Sequence, residues 1–487
     1  MPNSCAERPT ISLCIGDERL STGSAGFLSH VDPCSGEQDA SVPLAGAREI
    51  DRAVTKARAA YTDWCRRRSS ERRDILLRLA SLVEEHTDEF ARRGTLDNGT
   101  TVTINRLMVT RSVEWIRYYA GWADKIGGAV TGSFDSNGEM SYVLPQPFGV
   151  IGCITTWNGP LISMAMKVAA ALAAGNAVVV KPSEITPFTG VLFADLASQS
   201  GLPDGALSIL PGAAEAGRAL VSHPHVKKAS FTGGHDTARA ILHLCAENVK
   251  PAVMELGGKS ANIVFDDADL DNACALGTML AIGVNAGQGC ALPTRMLVAK
   301  SIYSEVLDRV SSMAKHLSVG DPFDPGTASG PVVSERSLER ILGMIHRAEQ
   351  DGARILTGGQ RLDGEFSDGY FLAPTVFADV RPDSELAQKE VFGPVLAIMA
   401  FDEEDDAIDL ANSTPYGLSG HLFTRDVQRA HRVAERLETG EVLVNGAENL
   451  SPTRPFGGVG ISGMGREGAR EGLDEFLRTK AVAIGTL

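Results

Sequence analysis

The fold is decided by one stretch of the sequence, GVIGCITTWNGPLISMAMKVAAALAAGNAVVVKPSE at residues 149–184. It contains two short apolar runs, at 149–154 and 177–180, that are separated by a segment of helix length. Apolar strands that alternate with helical segments are typical of parallel βαβ units, whose sheets are covered on both faces. The stretch therefore predicts an α/β fold that is built on a parallel sheet.

The same alternation continues toward the C-terminus. Further apolar runs lie at 206–210, 228–231 and 252–256, and a second series follows at 261–265, 295–298, 353–356, 395–401 and 442–445. On the N-terminal side the pattern is helical at 48–93 and 109–124, and 141–144 is predicted as a strand. We expect two open parallel-sheet α/β domains in tandem, preceded by a helical block.

Composition excludes several classes of protein. The 487 residues carry a formal charge of −15, which disfavours binding to nucleic acid or to an anionic membrane. The weakly charged stretch 168–180 is too short and too interrupted to span a membrane, and residues 1–10 lack the apolar block of a signal peptide. Eight singly spaced cysteines favour free thiols in a reducing compartment, so we expect a cytoplasmic protein.

Some patterns resemble known sites only superficially. Two Gly-x-Gly-x-x-Gly matches, at 458–463 and 463–468, do not follow a strand, so we do not interpret them as a dinucleotide-binding fingerprint. The acids at 267, 269 and 271 lack the glycine and the final glutamate of a calcium loop. His223 and His225 have no other metal-ligand residue near them in the sequence. We predict no metal site.

Two segments carry reactive side chains in an unusual setting. Cys290 follows Gly287-Gln288-Gly289, and small residues there would let backbone N–H groups and a substrate approach the sulfur. Glu255 ends an apolar strand and precedes two glycines, which is an expensive place for a charge unless it is paired or functional. Taken alone, the cysteine also fits a buried free thiol and the glutamate a member of an ion pair.

Two further segments place polar groups at strand ends. Asn158 follows the first strand, and Lys181, Ser183 and Glu184 follow the second. Open α/β sheets bind ligands at the carboxyl ends of their strands. An amide there could donate to a developing oxyanion, and the lysine and the carboxylate could bind a ligand rich in hydroxyl groups.

Together, and in this order, the segments resemble the aldehyde dehydrogenase superfamily, in its NAD(P)-dependent, non-acylating type. The resemblance covers almost the whole chain. The matching motifs are Trp157-Asn158-x-Pro160, Ala174-Gly175-Asn176 through Lys181-Pro182-Ser183-Glu184, Phe231-Thr232-Gly233, Glu255-Leu256-Gly257-Gly258-Lys259, Gly287-Gln288-x-Cys290, Glu390-Val391-Phe392-Gly393-Pro394 and Pro455-Phe456-Gly457-Gly458 with Ser462-Gly463.

The resemblance implies a subunit in three parts. A Rossmann-like dinucleotide-binding domain would comprise residues 1–124 and 148–256, and a catalytic domain residues 257–460. A small β oligomerisation arm would combine 125–147 with 461–487. Members of the family assemble through this arm, so we expect a homodimer or a homotetramer.

The resemblance also implies a mechanism. Cys290, as a thiolate, would attack the aldehyde, and the oxyanion would lie between the Asn158 amide and the Cys290 N–H. Hydride would pass to NAD, and Glu255 would activate the water that hydrolyses the thioester to a carboxylate. Lys181 is expected to be catalytic too. The alternatives are an acylating enzyme that uses coenzyme A, against which Glu255 argues, and a non-catalytic protein that retains the fold.

For the cofactor, the resemblance implies that Lys181 and Glu184 hold the adenine ribose and that Glu390 and Phe392 hold the nicotinamide end. A carboxylate at Glu184 would repel a 2′-phosphate, so NAD is expected rather than NADP. Gly234 stands where serine is usual, which would remove a contact to the pyrophosphate. The remaining expected cofactor residues are Thr155, Thr156, Trp157, Ser183, Phe231, Thr232, Gly233, Leu256 and Gly257.

For the substrate, Gly159 and Met166 stand where many relatives carry Phe and Trp in the substrate tunnel. The tunnel should therefore be wide and favour a bulky aldehyde, aromatic first and longer aliphatic or semialdehyde second. Arg111 is expected to disfavour cationic aldehydes. The remaining expected substrate residues are Gly289, Ala291, and Trp115, Leu450 and Phe456, which could refill the space. Gly460 also departs from the usual lysine.

Overall fold

The computed structural model describes residues 8–131 and 140–485. Its strands are β1 (Leu13–Ile15), β2 (Glu18–Leu20), β3 (Phe27–Val31), β4 (Gln38–Pro43), β5 (Met140–Pro147), β6 (Val150–Ile154), β7 (Ala177–Lys181), β8 (Leu207–Ile209), β9 (Val226–Thr232), β10 (Ala252–Glu255), β11 (Ala261–Val264), β12 (Arg295–Ala299), β13 (Arg354–Thr357), β14 (Thr375–Ala378), β15 (Val395–Phe401), β16 (Tyr416–Gly417), β17 (Ser419–Phe423), β18 (Glu441–Val444), β19 (Val459–Gly460), β20 (Gly463–Met464) and β21 (Leu477–Ile484).

The α-helices alternate with these strands over most of the chain. They are α1 (Ala47–Trp64), α2 (Ser69–Glu85), α3 (Thr87–Asn98), α4 (Val102–Trp122), α5 (Pro160–Ala173), α6 (Phe188–Gln199), α7 (Ala214–Ser222), α8 (His235–Glu247), α9 (Leu270–Thr278), α10 (Tyr303–Lys315), α11 (Glu335–Gln350), α12 (Glu385–Gln388), α13 (Glu404–Asn412), α14 (Val427–Arg436) and α15 (Ala469–Asp474). The predicted helical block is therefore a group of four helices, α1 to α4.

The first large sheet contains the strands predicted from residues 149 to 256. Its order is β2-β1-β8-β7-β6-β9-β10-β20. The five central strands, β8 to β10, are parallel, whereas β1 and β20 pair antiparallel at the two sides. The ends of β6, β7 and β10 bring Asn158, Lys181 and Glu255 to the carboxyl edge of this sheet, where a ligand is expected.

The second large sheet has the order β13-β14-β15-β12-β11-β17-β18. It is parallel except for the edge strand β13, which runs antiparallel to β14. The sequence analysis predicted five of these strands and missed β14 and β17. With two largely parallel sheets among covering helices, the predicted α/β class is confirmed.

Helix α5 connects the site to the core of the first sheet. It begins with Pro160 at its first position, which suits a residue that has no N–H to donate, and every one of its residues is buried. Helices α2 and α4 pack against it. A helix that is apolar all round must lie inside the protein, so the single charge in α5, Lys167, needs a partner there.

The predicted arm appears as a two-stranded antiparallel sheet. Strand β21 pairs with β5 along its length, from Leu477 opposite Pro147 to Ile484 opposite Met140. Residues 132–139 and 486–487 of the proposed arm, and residues 1–7 with Cys5, lie outside the described residues. The division of the chain into domains at 124, 148, 256 and 460 stays a prediction.

The glycine-rich segment near residue 460 has a structural use. Strand β20 pairs with β10, so that Gly463 lies opposite Glu255. Gly463 has a φ of +151°, and a Cβ atom there would overlap the carbonyl oxygen of Met254. The glycine is therefore needed for the close approach of the two strands.

The described residues form neither a membrane-spanning helix nor a cluster of metal ligands. In the ranges 8–131 and 140–485, none of the helices combines the length and the apolar character that crossing a membrane requires. The same ranges contain no group of three or more His, Cys, Asp or Glu side chains that could hold a metal ion. The described cysteines are free thiols.

Candidate active site

Two cavities meet at Cys290. The smaller has a volume of about 190 Å³, and the larger has a volume of about 480 Å³. The residues that line both are Thr156, Asn158, Thr232, Glu255 and Cys290. The predicted nucleophile, base and oxyanion donor are therefore brought together from three segments of the chain, and Cys290 borders both spaces.

The backbone before Cys290 is bent into an unusual conformation. Asn285 and Ala286 have φ values of +51° and +50°, and Gly287 follows at +68°. A Cβ atom on Gly287 would overlap the carbonyl group of Gly393, so this position requires glycine. Such strain persists where the surroundings fix it. Here the Asn285 amide donates to the carbonyl oxygens of Asn158 and Gln288, both at 2.9 Å.

The surroundings of Cys290 disfavour its ionised form. Burial, and then the nearby carboxyl groups of Glu390 and Glu255, raise the pKa of the thiol to about 12, although the backbone N–H groups of Cys290 and Ala291 act in the opposite direction. The attack as a thiolate stays a prediction, and it requires a group that accepts the proton of the thiol.

Asn158 lies in the loop after β6 and faces the nucleophile segment. Its side-chain Nδ2 donates to the carbonyl oxygen of Gln288 at 2.9 Å, and its Oδ1 accepts from the hydroxyl of Thr156 at 2.9 Å. An amide nitrogen carries two hydrogens. The second hydrogen of Nδ2 is therefore available to an oxygen atom in the cavity.

Glu255 is an orphaned carboxyl group at the end of β10. Its residue is 3% exposed, and neither carboxyl oxygen has a hydrogen-bond partner among the described residues. Burial, and next the charge of Glu467, raise the pKa of Glu255 well above its usual range. Gly457 leaves room for it, because a Cβ atom there would lie 2.6 Å from Oε1. A carboxyl group with a raised pKa beside a nucleophile is a candidate general base.

A buried ion pair behind Glu255 was missed by the sequence analysis. Lys167 of α5 is 0% exposed and pairs with Glu467, and its Nζ also donates to the hydroxyl of Ser230 at 3.0 Å. Glu467 lines the larger cavity. The one charge in the apolar run at 160–173 was the available signal, but nothing local indicated its partner.

The smaller cavity fits the nicotinamide-ribose end of a dinucleotide. Glu390 accepts from the N–H of Gly258 at 3.1 Å, and a Cβ atom on Gly257 would overlap its carboxyl group. Burial raises the pKa of Glu390 to about 7. The Phe392 ring meets the Trp157 ring edge to face, with centroids 5.4 Å apart. A carboxyl group and aromatic rings around a glycine-lined space suit a ribose and a flat heterocycle.

The other predicted cofactor residues divide into two groups. Those that line the smaller cavity are Thr156, Trp157, Thr232, Gly233, Gly234, Leu256, Gly257, Glu390 and Phe392. Those that line neither cavity are Thr155, Lys181, Ser183, Glu184 and Phe231. Gly234 precedes α8, and a Cβ atom there would meet nothing within 4 Å, so the structure gives no steric reason for the missing serine.

Lys181 is fully engaged away from Cys290. Its ammonium donates to the carbonyl oxygens of Pro182, at 3.1 Å, and Gly212, and it pairs with Glu184 at 3.1 Å. The expectation of a catalytic Lys181 is therefore corrected, because it does not reach the cavities that contain the thiol. Its contact with the adenine ribose stays a prediction.

Most of the predicted substrate residues line the larger cavity. They are Arg111, Gly159, Met166, Gly289, Ala291, Leu450 and Phe456. Trp115 does not line it: its indole is buried and donates to the carbonyl oxygen of Leu450 at 2.8 Å. Trp115 therefore stabilises the segment at Leu450 through this hydrogen bond, and the expectation that Trp115 lines the cavity is corrected.

The charge of Arg111 is compensated. Arg111 pairs with Glu114 at 2.9 Å and with Glu448, which also lines the larger cavity. The guanidinium thus presents no unbalanced positive charge, so repulsion by Arg111 is not a reason for the expected discrimination against cationic aldehydes; the discrimination itself stays a prediction. Gly460 lines neither cavity and pairs with Tyr416 instead.

A thiol that borders two cavities, one of them lined by glycines, aromatic rings and a carboxyl group, agrees with the enzyme class that the sequence resembles. The profile of the aldehyde dehydrogenase family matches residues 21–482. An aldehyde dehydrogenase of Enchytraeus buchholzi is 40% identical over 97% of this chain and 95% of its own. A 4-trimethylaminobutyraldehyde dehydrogenase of Oryzias latipes is 37% identical over 93% and 90%.

A solved structure agrees. Betaine aldehyde dehydrogenase of Staphylococcus aureus, crystallised with NAD+, superimposes with a TM-score of 0.95 at 34% identity, covering 98% of this chain and 95% of that one. The chain belongs to the aldehyde dehydrogenase family. The predicted resemblance and the predicted enzyme class are confirmed.

Proposed function

We propose that this enzyme oxidises a bulky aldehyde, aromatic aldehydes foremost, to the carboxylic acid with NAD as the cofactor. The observation that carries the proposal is the position of Cys290 between a cavity suited to the nicotinamide ribose and a larger cavity whose exposed wall surface is mostly apolar. A carbon atom bound to that sulfur is accessible from both sides. That is the geometry which hydride removal requires.

The chain's own residues make and stabilise the adduct. The thiol of Cys290 adds to the aldehyde carbon and loses its proton, and the new oxyanion accepts hydrogen bonds from Asn158 Nδ2 and the Cys290 N–H. NAD, when bound, supplies the hydride acceptor. What remains on the chain is a thioester of Cys290.

Glu255 supplies the proton acceptor. Its carboxyl oxygens are without partners among the described residues and border the same space as the sulfur. A buried carboxylate with a raised pKa is a stronger base than an exposed one. Glu255 takes the proton of the thiol on attack and releases it to solvent. As a carboxylate again, it takes a proton from the water that hydrolyses the thioester and returns it to the leaving Cys290 sulfur, so that the products are the carboxylic acid, which ionises, and the regenerated thiol.

The larger cavity supports a bulky substrate. At about 480 Å³ it falls within the range of pockets for small molecules of drug size. In its wall, Gly159 has no side chain and Met166 has a flexible one, so neither residue fills the cavity as a large aromatic ring would. Two of the three proteins compared above are named for 4-trimethylaminobutyraldehyde and for betaine aldehyde. In this chain Glu448 pairs with Arg111 and Glu467 pairs with Lys167, so neither carboxylate is left to bind a cationic aldehyde, which favours a neutral one.

A panel of aldehydes tests the substrate class. The expected order of kcat/KM is an aromatic aldehyde, then a longer aliphatic one, then a two-carbon aldehyde, then a quaternary ammonium aldehyde. Met166→Trp should fill the cavity and reduce kcat/KM for the aromatic aldehyde by about tenfold or more, while the two-carbon aldehyde loses less. Higher kcat/KM for the smallest aldehyde in the wild type would contradict the proposal.

Product analysis separates hydrolysis from acyl transfer. With and without coenzyme A, the free acid should form at the same rate, and Glu255→Gln should release a burst of NADH followed by slow turnover. Gln keeps the shape of the side chain and removes the base. Acyl-coenzyme A as the sole product, or an unchanged steady-state rate in Glu255→Gln, would overturn the hydrolytic assignment.

The assembly proposed is a homodimer or homotetramer joined through the arm. Strands β5 and β21 form a two-stranded sheet whose apolar Met140, Leu144 and Ile484 are exposed. Exposed strand edges with apolar side chains favour pairing with another chain. Sedimentation should give an oligomer for the wild type and smaller species after removal of 477–487. We also propose a cytoplasmic location, because the described cysteines are free thiols, as is usual in a reducing compartment.

A further inference from the structure

Two buried cationic side chains lie where the first sheet continues into the second. Lys259 and Arg295 are 1% and 2% exposed. The Nε of Arg295, at the start of β12, donates to the carbonyl oxygen of Lys259 at 2.8 Å. Neither side chain takes part in the mechanism proposed above, and a buried charge is unfavourable unless it is paired. Both charges therefore need partners.

Arg295 is partly compensated by the end of a helix. Its Nη1 donates to the carbonyl oxygen of Leu410 at 2.9 Å, and its Nη2 donates to that of Ala411 at 2.7 Å. Both carbonyl groups belong to the last turn of α13, where the helix dipole favours a cation. With the bond to Lys259, these contacts use three of the five N–H groups of a guanidinium. Two N–H groups remain for another acceptor.

Lys259 is not compensated in this way. Its Nζ has no hydrogen-bond partner among the described residues, and the same is true of the hydroxyl of the next residue, Ser260. Burial, and then the charge of Arg295, lower the pKa of Lys259 to about 7. Glu390 acts in the opposite direction, but it lines the smaller cavity at Cys290. An ammonium group has three donors and no acceptor, so the ligand that suits Lys259 best is an anion.

Both cationic residues line one small cavity, together with Ser260. Glu255 and Cys290 do not line it, so it is distinct from the two cavities of the active site. Among the described residues, its lining contains Lys259 and Arg295 and neither Asp nor Glu. Its volume is about 10 Å³, which is close to the least space that one water molecule needs. The cavity therefore admits a monatomic ion and excludes a phosphate or a carboxylate.

We propose that this cavity binds one halide ion, which is chloride under physiological conditions. The ion accepts hydrogen bonds from Lys259 Nζ, from the hydroxyl of Ser260 and from a remaining N–H group of Arg295. Its negative charge compensates Lys259 as the end of α13 compensates Arg295. The ion thus ties residues 259–260 to β12 and stabilises the junction between the two sheets. The site does not depend on the proposed reaction, because its ligand is not a substrate.

Bromide locates the site directly. It substitutes for chloride and is detected by its anomalous X-ray scattering. Crystals of the full-length enzyme, grown without NAD and soaked in sodium bromide, should show an anomalous peak within hydrogen-bond distance of Lys259 Nζ and Ser260 Oγ. Anomalous peaks that are confined to the protein surface would overturn the proposal, because the cavity would then hold only water.

A matched pair of variants tests the site in solution. Lys259→Met keeps the length of the side chain and removes its charge, whereas Lys315→Met makes the same change of charge at an exposed position on α10. The readout is Tm in sodium chloride and in sodium gluconate of equal concentration, since gluconate is too large for the cavity. The wild type and Lys315→Met should unfold about 2 °C higher in chloride, because an ion that binds only the folded chain stabilises it.

The same difference in Tm should vanish in Lys259→Met. Equal differences in Lys259→Met and Lys315→Met, or no difference in the wild type, would overturn the proposal. Ser260→Ala keeps the test decisive if Lys259→Met does not fold. It removes one hydrogen bond to the ion and should weaken chloride binding about tenfold, which is seen as a higher chloride concentration for the same rise in Tm. An unchanged chloride response in Ser260→Ala would count against the site.

Discussion

Glu255 and Cys290 line the same two cavities, and the carboxyl group of Glu255 is one of the causes that raise the pKa of the thiol to about 12. The charge of Glu255 thus discourages the ionisation of the thiol. A proton passes from a weakly acidic thiol to a buried carboxylate more easily once the sulfur shares its electron pair with an electrophile. We therefore expect the proton to leave the sulfur together with the attack on the aldehyde.

Removal of the sulfur should abolish the reaction. Cys290→Ala is expected to lower kcat by about 10⁴-fold or more, because no covalent adduct can form. The affinity for NAD, measured by titration calorimetry, should be unchanged. Cys65→Ala, at a thiol that lines neither cavity, is the control and should keep full activity. Turnover that survives in Cys290→Ala would exclude the cysteine as nucleophile.

The buried ion pair should set the pH at which Glu255 works. The charge of Glu467 raises the pKa of Glu255 and the charge of Lys167 lowers it. In Glu467→Gln the raising charge is gone and Lys167 is left unpaired, so Glu255 ionises at lower pH. The acid limb of the pH profile of kcat/KM should move to lower pH. The double variant Lys167→Met/Glu467→Gln should move the acid limb less, because it removes both the raising and the lowering charge. An acid limb that stays at the same pH in both variants would show that the ion pair does not affect the pKa of Glu255.

The fit of Gly257 against Glu390 should control binding of the nicotinamide ribose. In Gly257→Ala the new methyl group overlaps the Glu390 carboxyl group. We expect KM for NAD to rise by about tenfold or more, as for other overpacked positions. Gly121→Ala, in α4 with open space around its Cβ position, should leave KM unchanged and stabilise the helix slightly. Equal KM values for the two variants would be incompatible with the proposed ribose site.

Glu184 should determine the preference of the enzyme for NAD over NADP. Its carboxylate, held by Lys181, is expected to accept from the ribose hydroxyls and to repel a 2′-phosphate. Glu184→Ala should reduce the NAD to NADP ratio of kcat/KM by about tenfold, or 1.4 kcal/mol. The control is Glu339→Ala, an exposed position on α11. If the ratio is the same in wild type and Glu184→Ala, the adenine ribose does not contact this residue.

Glu49 should contribute to stability in a pH-dependent way. The hydrogen bonds to its buried carboxylate, first from Ser24 and Gly46, outweigh burial and lower its pKa to about 2. A lowered pKa means stability that is present above about pH 4.5 and is lost as the pH falls toward 2. Glu49→Gln should lower the free energy of unfolding at pH 7 by roughly 2–3 kcal/mol.

Thermal unfolding from pH 7 down to pH 3 measures the effect of Glu49→Gln. The difference between the variant and the wild type should shrink as the pH falls. Glu37→Gln, at an exposed position, is the control and should track the wild type throughout. A constant difference between Glu49→Gln and the wild type at all pH values would mean that the charge is not the source of the stability.

Local patterns predicted most of the strands but not all. Strand β17 was missed because Gly420 and His421 interrupt its apolar character, although all its residues are buried. Its identity as a strand comes from pairing with β11 and β18, which lie far away in the sequence. Strand β14 was missed as well, although its four residues are all buried and other four-residue strands of the same sheet were predicted.

The candidate reactive residues could be named from the sequence because their setting is local, and their roles stay predictions. Cys290 and Glu255 each stand beside glycines that the site requires, and those glycines are visible in the sequence. The partner of Lys167 was not predictable, since Glu467 lies 300 residues further on. The protonation state of Cys290 was unpredictable for the same reason, because it depends on Glu390 and Glu255 from other segments.

The position of the edge strand β20 late in the sequence has a consequence during synthesis of the chain on the ribosome. Gly463 closes the sheet beside Glu255, and Glu467, three residues after the end of β20, pairs with Lys167. Gly463 and Glu467 are translated long after Cys290. A nascent chain therefore carries its nucleophile before it has the surroundings of its base, and aldehyde oxidation begins only when the whole chain has emerged and folded.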